Sequence, residues 1–291
     1  MDSYLKTILN NLFQTVQLEY LDRDPLELVR QYDRPEDLEI AAFISAAFAL
    51  GRYGSIRKTV SEILSFMSPS PYDFIRHFNP DRHSHLFQHF VYRFYRSEDL
   101  GLLIGYLHQI VDTWGSLENC FLEGYTDSET DITRALSHFV RTILSLKTAP
   151  FYPEPPIKGS GIRHFLADPR DGSTCKRLNL FLRWVVRKGS LDLGIWKHVS
   201  PSRLIIPVDT HITRMGRCLG LTSRKSPDWK MAVEITESLR IFDKEDPVKY
   251  DFALCTVGKL QACPKKINSK NCADCPVRSA CIELIKHKKE E

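Results

Sequence analysis

The sequence predicts an all-α fold, and three observations support that prediction. Apolar residues recur with helical spacing along most of the chain, beginning with Leu5, Ile8, Leu9 and Leu12. Strand-like composition is confined to the short run 204–206. The 291 residues include 16 Phe, enough to build a large core without covalent cross-links.

Start and stop signals order the helices of the first half. Pro25 and Pro35 stand where proline commonly begins a helix. The segment 38–50 is apolar on most sides and is predicted to be a buried central helix that ends at Gly51. Polar caps predict further helix starts near Ser55, Ser70, Ser97, Ser116 and either Asp127 or Ser128. The last of these helices is expected to run to about Lys147.

A break in the helical pattern follows. Residues 150–172 contain five Pro and three Gly, which is typical of a loop region. Helices are then predicted over 174–187, 192–198, 209–219, 227–241 and 247–260.

The positive charge of the chain is concentrated in two segments. The net charge is only +4, but residues 158–188 carry eight Lys/Arg against two acids and residues 255–291 carry eight against four. The remainder must therefore sum to −6, from +4 less +6 and +4. Two basic segments on an otherwise acidic chain indicate a face for a polyanion such as DNA. Solvated helix faces are the alternative for either segment alone.

No targeting or membrane segment is visible in the sequence. The N-terminus lacks the basic and apolar regions of a signal peptide, and no run of eighteen apolar residues occurs. We therefore expect a cytoplasmic protein, nucleoid-associated if it is bacterial, with no membrane partner.

Four cysteines, Cys263, Cys272, Cys275 and Cys281, follow the spacing C-x8-C-x2-C-x5-C. A cytoplasmic chain with a core of this size does not need disulfides, so metal ligation is the better interpretation. Structural zinc sites usually pair two close cysteine knuckles, whereas only one close pair exists here. The spacing therefore favours a [4Fe–4S] cluster, with zinc as the alternative. Cys255 is a rival first ligand.

Asp209 follows a short apolar run and precedes a predicted helix with Ile212 and Met215 on its buried face. It is expected at the N-cap, where a carboxylate accepts backbone N–H groups. A purely structural cap is the alternative to a catalytic role.

The segment 207–214, Pro-Val-Asp-Thr-His-Ile-Thr-Arg, resembles the V-D-T-H-x-x-R segment of the helix-hairpin-helix/Gly-Pro-Asp DNA glycosylases, endonuclease III in particular. That family also ends in a four-cysteine [4Fe–4S] loop with the spacing C-x6-C-x2-C-x5-C, whose last two gaps match here. Residues 38–47 are similar to the family's early buried helix. The resemblance is strongest over residues 204–281.

The chain departs from the family at its hairpin. The L-P-G-V-G hairpin and the lysine that follows it are absent, and residues 168–184 instead read Asp-Pro-Arg-Asp-Gly-Ser-Thr-Cys-Lys-Arg-Leu-Asn-Leu-Phe-Leu-Arg-Trp. Archaeal 8-oxoguanine glycosylases also lack the ordinary hairpin, and the run 176–184 resembles a divergent bacterial branch. The phosphate clamp, the nucleophile and the lesion are therefore left open.

The resemblance implies a two-lobed helical fold. One lobe would be a six-helix bundle over 35–188, and the other would join 1–34 to 189–291 with the cluster loop at 263–281. The implied activity is that of a monomeric base-excision repair glycosylase acting on a damaged base flipped from double-stranded DNA. Abasic-site lyase activity through a lysine Schiff base is also implied.

Lys176 is the expected nucleophile, at the start of a helix capped by Ser173 or Thr174, and Lys158 is the second choice. Asp209 is expected to orient the lysine or accept its proton, and to stabilise the positive sugar. DNA contacts are expected from Arg170, Gly172, Ser173, Arg177, Arg183, His211, Lys265, Lys266 and Lys270.

Two other classes of protein also fit the sequence. One is a catalytically silent DNA-binding protein on the same scaffold, and the other is a zinc-stabilised helical interaction module. The aromatic residues Phe181, Trp184, Trp196 and Trp229 could grip a flipped base, although residues of this kind more often belong to the core.

Overall fold

The computed structural model describes residues 2–16, 24–156, 160–259 and 272–282. These residues are mostly helical, so the all-α prediction is confirmed. The helices are α1 (Asp2–Val16), α2 (Leu26–Val29), α3 (Pro35–Ala47), α4 (Tyr53–Phe66), α5 (Pro71–Arg76), α6 (Pro80–His83), α7 (Ser97–Trp114), α8 (Leu117–Leu122), α9 (Thr133–Leu144), α10 (Gly161–Phe165), α11 (Lys176–Val186), α12 (Thr210–Cys218), α13 (Trp229–Arg240) and α14 (Asp251–Lys259).

The strands of the described residues form one small hairpin. Strand β1 (Val91–Tyr92) pairs antiparallel with β2 (Tyr95–Arg96). The sequence did not predict this hairpin, because two-residue strands are too short to show an alternating pattern. The apolar run 204–206 is buried and extended but is not paired in a sheet.

Helix α3 is the buried central helix that the sequence predicts. Pro35 occupies its first position, and ten of its thirteen residues are buried. It packs against α11, where the rings of Phe43 and Phe181 meet edge to face with centroids 5.1 Å apart. Because α11 begins at Lys176, this packing helps to position the candidate nucleophile.

Glu39 links α3 to two other parts of the fold. Its buried carboxylate accepts hydrogen bonds from the backbone N–H groups of Leu117 and Glu118 at 3.0 Å, and from Nε1 of Trp196 at 2.7 Å. Burial raises the pKa of Glu39 to about 7, although these three donors oppose the shift. The carboxylate therefore caps the start of α8 and holds the loop that carries Trp196.

Two predicted helices differ from the structure. Helix α9 begins at Thr133, because the preceding chain forms turns in which Asp131 accepts from the Thr133 N–H group. The predicted helix 192–198 is absent. The N–H group of Leu193 instead donates to the carbonyl oxygen of Trp184, so this segment folds back over the end of α11.

Two buried arginines of α11 join it to the C-terminal part of the chain. Nε of Arg183 lies 3.3 Å from Asp192, and Nη1 pairs with Asp251 at the start of α14. Arg187 pairs with Asp192 and lies 2.8 Å from Asp246. Burial alone would lower the pKa of Arg183, but the carboxylates of Asp192 and Asp251 raise it above its ordinary value.

The prediction that Arg183 contacts DNA is wrong. Its side chain is only 4% exposed, and two carboxylates occupy its guanidinium group. A run of basic residues in a sequence does not distinguish a buried ion pair from a surface charge.

Helix α1 packs against the C-terminal helices. The hydroxyl of Tyr250 donates to Asn10 at 2.9 Å, and its ring meets that of Phe13 with centroids 6.4 Å apart. Among the described residues, no helix combines the length and the hydrophobicity that crossing a bilayer requires.

Replacing Arg183 with Met should destabilise the protein by about 3–5 kcal/mol, because Asp192 and Asp251 would stay buried without this partner. Urea denaturation measures the free energy of unfolding directly. Arg76→Met, on the exposed end of α5, is the matched control and should change stability by less than about 0.5 kcal/mol. Equal effects of the two substitutions would contradict the structural role of Arg183.

Candidate active site

The loop before α11 sets the position of Lys176. A short 3-10 turn, Pro169–Asp171, ends at Gly172, whose φ of +78° lies in the left-handed region. Cys175 also has a positive φ, +48°, and it is the N-cap of α11. Its thiol is buried and bonds the carbonyl oxygen of Ala167, which holds the backbone in this unusual conformation. The loop thus turns abruptly into the helix at Lys176.

The structure corrects the predicted cap of α11. Neither Ser173 nor Thr174 is the N-cap, although the Ser173 hydroxyl accepts from the N–H group of Cys175 at 3.1 Å. Burial raises the pKa of the Cys175 thiol to about 12, which makes it a packing residue rather than a reactive one.

Asp209 is the N-cap of α12, as the sequence predicts. Its Oδ1 atom accepts hydrogen bonds from the backbone N–H groups of His211 and Ile212, both at 2.8 Å. These two bonds fix the carboxylate on the helix end and leave Oδ2 facing away from the backbone donors.

Lys176 and Asp209 lie side by side. Nζ of Lys176 is 3.8 Å from Oδ2 of Asp209, with side-chain exposures of 36% and 14%. The two residues come from different helices, so tertiary packing brings them together. A half-exposed amine beside a fixed carboxylate can bind a substrate and still exchange protons with it.

The Lys176–Asp209 pair lies where two depressions meet. Asp209 lines an open cleft of about 1120 Å³, called here the large cleft. Lys176 lines a smaller depression of about 180 Å³, the small cavity. Ser173 and Thr174 line both, so the two spaces adjoin at the start of α11.

The small cavity offers polar groups to a ligand. Its lining includes His164 and Lys176, while the stacked rings of Phe165 and Tyr95, with centroids 4.2 Å apart, are buried in the core beside it. Its volume equals the space of roughly six water molecules. This is the size of a single heterocyclic group rather than of a whole nucleotide.

The lining of the large cleft carries more positive than negative charge. Arg214, Arg217, Arg224 and Lys225 border it together with the carboxylates of Asp209 and Glu234, which gives four minus two, or +2. Nε of Arg217 donates to the carbonyl oxygen of Arg224, and Arg224 pairs with Asp228 at 2.6 Å. These contacts orient the side chains, and the cluster makes the cleft attractive to an anion.

Cys255 of α14 is a neighbour of the pair that sequence reasoning did not assign to the site. Its Sγ atom lies 3.7 Å from Oδ2 of Asp209, the same oxygen that faces Lys176. The prediction considered Cys255 only as a rival cluster ligand. No local pattern could have revealed this contact, because the two residues are 46 positions apart.

The structure corrects the prediction that Arg177 contacts DNA, because its guanidinium group bonds other parts of the protein. Its guanidinium donates to the carbonyl oxygens of Ala47 and His164. It also donates to the hydroxyl of Tyr95. With these groups occupied by the protein, the side chain fixes the wall of the small cavity.

The other predicted DNA contacts fall into three groups. Arg170 and Gly172 are exposed and Ser173 lines both depressions. His211 does not line either depression. Its side chain packs against Gly258 of α14 so closely that a Cβ added to Gly258 would lie 2.6 Å from the His211 Cβ. The predicted contacts Lys265, Lys266 and Lys270 lie outside the described residues, as does Lys158, the second choice of nucleophile.

Three of the four predicted cluster ligands are described. Cys272 and Cys281 are buried and Cys275 is partly buried, in consecutive turns in which the Cys275 N–H group donates to the carbonyl oxygen of Cys272. Cys263 lies outside the described residues. Within those residues, no group of three or more His, Cys, Asp or Glu side chains is arranged to hold a metal ion.

The candidate aromatic clamps are core residues. Phe181, Trp184, Trp196 and Trp229 are all buried. An exposed aromatic residue stands elsewhere, at the tip of the hairpin. Phe94 is 48% exposed, and its ring lies 4.9 Å from that of His164 at the small cavity.

Two contacts hold the hairpin β1–β2 beside the small cavity. The Tyr92 hydroxyl donates to the carbonyl oxygen of Leu50, a residue that lines this cavity, at 2.6 Å. Arg93 lies against Gly51, where an added Cβ would be 2.7 Å from the guanidinium group. The alternation of Arg and aromatic residues over 92–96 was the sequence signal that could have identified this feature.

The chain matches one model among those of known protein families. A family model described as a protein of unknown function, DUF2400, matches residues 24–260. No curated protein and no solved structure matches the chain. Since the matched region covers well over half of the 291 residues, the chain belongs to the DUF2400 family.

Proposed function

We propose that this protein is a DNA glycosylase of base-excision repair, with abasic-site lyase activity through Lys176. The observation that carries the proposal is the 3.8 Å approach of the Lys176 amine to the Asp209 carboxylate, where the large cleft meets the small cavity. The sequence resemblance over 207–214 supports the same role for Asp209.

The proposed chemistry uses the pair in two steps. As the bond from C1′ to the base breaks, its electron pair leaves with the base, and Asp209 stabilises the positive sugar. The unprotonated Lys176 nitrogen bonds C1′ and passes one proton through Asp209 to the departing base. Transfer of its second proton to the ring oxygen opens the sugar to a Schiff base, and Asp209 then accepts a C2′ proton as the 3′ phosphate leaves.

The surroundings suit the parts of a damaged nucleotide. The small cavity has the size for one base, while the arginines of the large cleft suit the phosphates of the strand. A base must leave the helical stack before it can enter such a cavity. We include the two-lobed glycosylase fold in the proposal, with α11 in the lobe 35–188 and α12 in the second.

We expect Phe94 to fill the gap that a flipped-out base leaves in the duplex. It is the exposed aromatic side chain of the hairpin, and His164 connects it to the small cavity. Apolar side chains inserted between base steps stabilise a distorted duplex.

The proposed cofactor is a [4Fe–4S] cluster held by Cys263, Cys272, Cys275 and Cys281. Four thiols are the donor set that such a cluster uses, and the burial of Cys272 and Cys281 provides the low solvent access of a structural site. When bound, the cluster would brace the C-terminal loop. The glycosylase steps described above use only the protein side chains.

Lys176→Gln should abolish borohydride trapping on abasic DNA, because no amine remains to form the reducible Schiff base. Asp209→Asn should leave DNA affinity nearly unchanged while base release falls by about 10²- to 10⁴-fold. Asparagine can still accept at the N-cap, so this loss reports chemistry rather than unfolding. Gel analysis of trapped complexes and single-turnover base release make the two measurements.

Lys188→Gln is the matched control for the lysine, since this exposed residue follows the other end of α11. It should trap as the wild type does. DNA binding without any trapped complex in the wild type would instead favour a catalytically silent DNA-binding protein.

Phe94→Ala should slow base release from duplex DNA by about tenfold or more, because base–aromatic stacking contributes about 1–3 kcal/mol. Release from a single-stranded substrate should not change, since no duplex gap then needs filling. Val91→Ala, at the exposed neighbour on β1, is the control. An equal slowing on both substrates would contradict the proposed filling of the gap.

Purified protein should be brown, with broad visible absorbance and about four iron and four sulfide per chain. Cys275→Ser should lose the colour and the iron. Cys120→Ser, at a buried α8 thiol far along the chain from the loop, should retain both. Colourless protein containing zinc would select the zinc-stabilised alternative.

A further inference from the structure

Helix α9 forms one wall of a third depression, separate from the Lys176–Asp209 pair. The helix is amphipathic: its apolar side packs in the core, while Arg134, His138 and Arg141 recur on its exposed side. These residues face Arg170 and the segment 123–126 across a depression of about 600 Å³, called here the α9 groove.

The α9 groove carries a net positive charge. Its lining contains three arginines, Arg134, Arg141 and Arg170, and one carboxylate, that of Glu123, which gives three minus one, or +2, with His138 neutral. Hydroxyls of Thr142 and Ser145 complete the lining. Such a surface suits a ligand with repeated negative charge and hydrogen-bond acceptors.

The arginines of the groove remain available to a ligand. Arg134 pairs with Glu129 at 3.0 Å, yet its side chain is 67% exposed. Arg141 is 65% exposed and lies 3.8 Å from Asp168. The Arg134–Glu129 pair is exposed on both sides and contributes little to stability, so a stronger anion can displace it, whereas Arg141 lies at the limit of ion-pair distance from the buried Asp168 and keeps most of its side chain in solvent. Within the described residues, no carboxylate lies within ion-pair distance of Arg170.

The groove is concave rather than a simple solvated helix face. Gly124 approaches α9 so closely that an added Cβ would lie 2.5 Å from the Cβ of His138. A larger residue would push the segment 123–126 away from the helix. The close approach therefore maintains a defined wall opposite the arginines.

The α9 groove is joined directly to the active-site loop. The buried carboxylate of Asp168 accepts from the Ser137 hydroxyl on α9 at 2.7 Å and from the Arg170 N–H group at 2.9 Å. Trp229 adds a second link, because its Nε1 donates to Thr133 and its backbone N–H group donates to Gly172. The loop before Lys176 thus has the α9 groove on one side and the large cleft on the other.

From this arrangement we infer that the α9 groove binds the phosphodiester backbone of the DNA beyond the reacting nucleotide. The inference rests on the proposed function in taking DNA as the partner. Continuity with the loop that carries Ser173 and Lys176 favours the same DNA molecule over a separate acidic protein. The strand would run from the cations of the large cleft, across the loop, to Arg170, Arg134 and Arg141.

Fluorescence anisotropy with duplex DNA containing one abasic site tests the inference. Replacing Arg134 and Arg141 together with Gln should remove two phosphate contacts, and each contact steepens the salt dependence by about 0.9. Between about 50 and 200 mM salt, the wild type should therefore lose roughly tenfold more affinity than the double variant. Trapping at saturating protein should be unchanged, because Lys176 and Asp209 are intact.

Two controls accompany the double variant. Replacing the same arginines with Lys keeps the charges and should keep the steep salt dependence. Arg82→Gln, at an exposed residue of α6 that borders neither the groove nor the large cleft, should also behave as the wild type.

The outcomes separate this inference from the proposed function. A double Gln variant with the full salt dependence, in a protein that still traps DNA, would overturn the groove and leave the glycosylase proposal standing. A wild type that binds DNA without trapping would overturn the chemistry, while the salt comparison would still decide the groove. The same anisotropy assay is run with polyglutamate as an acidic polypeptide probe. A double Gln variant that loses polyglutamate binding but keeps the full salt dependence on DNA would reassign the groove to an acidic protein and overturn the inference.

Discussion

The buried ion pairs of α11 are the constraint on which the site depends. Arg183 and Arg187 fasten the last turns of this helix to Asp192, Asp246 and Asp251, while the first residue of α11 is the candidate nucleophile. The rest of α11 packs on the central helix α3. A helix held both by α3 and by buried charges has little freedom to slide or rotate, so its N-terminus keeps a fixed position relative to α12.

This rigidity matters because the pair is assembled from two helices. Asp209 is fixed by hydrogen bonds to the start of α12, and Lys176 is fixed by the placement of α11. Preorganised groups do not need to move when charge develops in a transition state, and small displacements can cost large factors in rate. The wall of the α9 groove is connected to the same rigid structure, since Asp168 joins α9 to the loop before Lys176.

The sequence predicts the features that depend on local patterns. Helical periodicity indicates the all-α fold and the buried helix α3, and a cap motif places Asp209 at the start of α12. Some local predictions fail, such as the cap of α11 and the helix 192–198, but the failures that matter most for the site concern distant contacts. The sequence pattern wrongly indicates that Arg183 is a surface cation, because its partner Asp251 is 68 residues away along the chain. The contact of Cys255 with Asp209 likewise depends on the packing of α12 against α14, which no local signal encodes.

The role of Lys176 is tested most directly by identifying the atom of the protein that becomes bonded to the sugar. Abasic DNA would be incubated with the wild type and borohydride, the complex would be digested, and the modified peptide would be sequenced by mass spectrometry. We expect a reduced sugar adduct on the side-chain nitrogen of Lys176. An adduct on a different lysine, or on the N-terminal amine, would exclude Lys176 as the nucleophile.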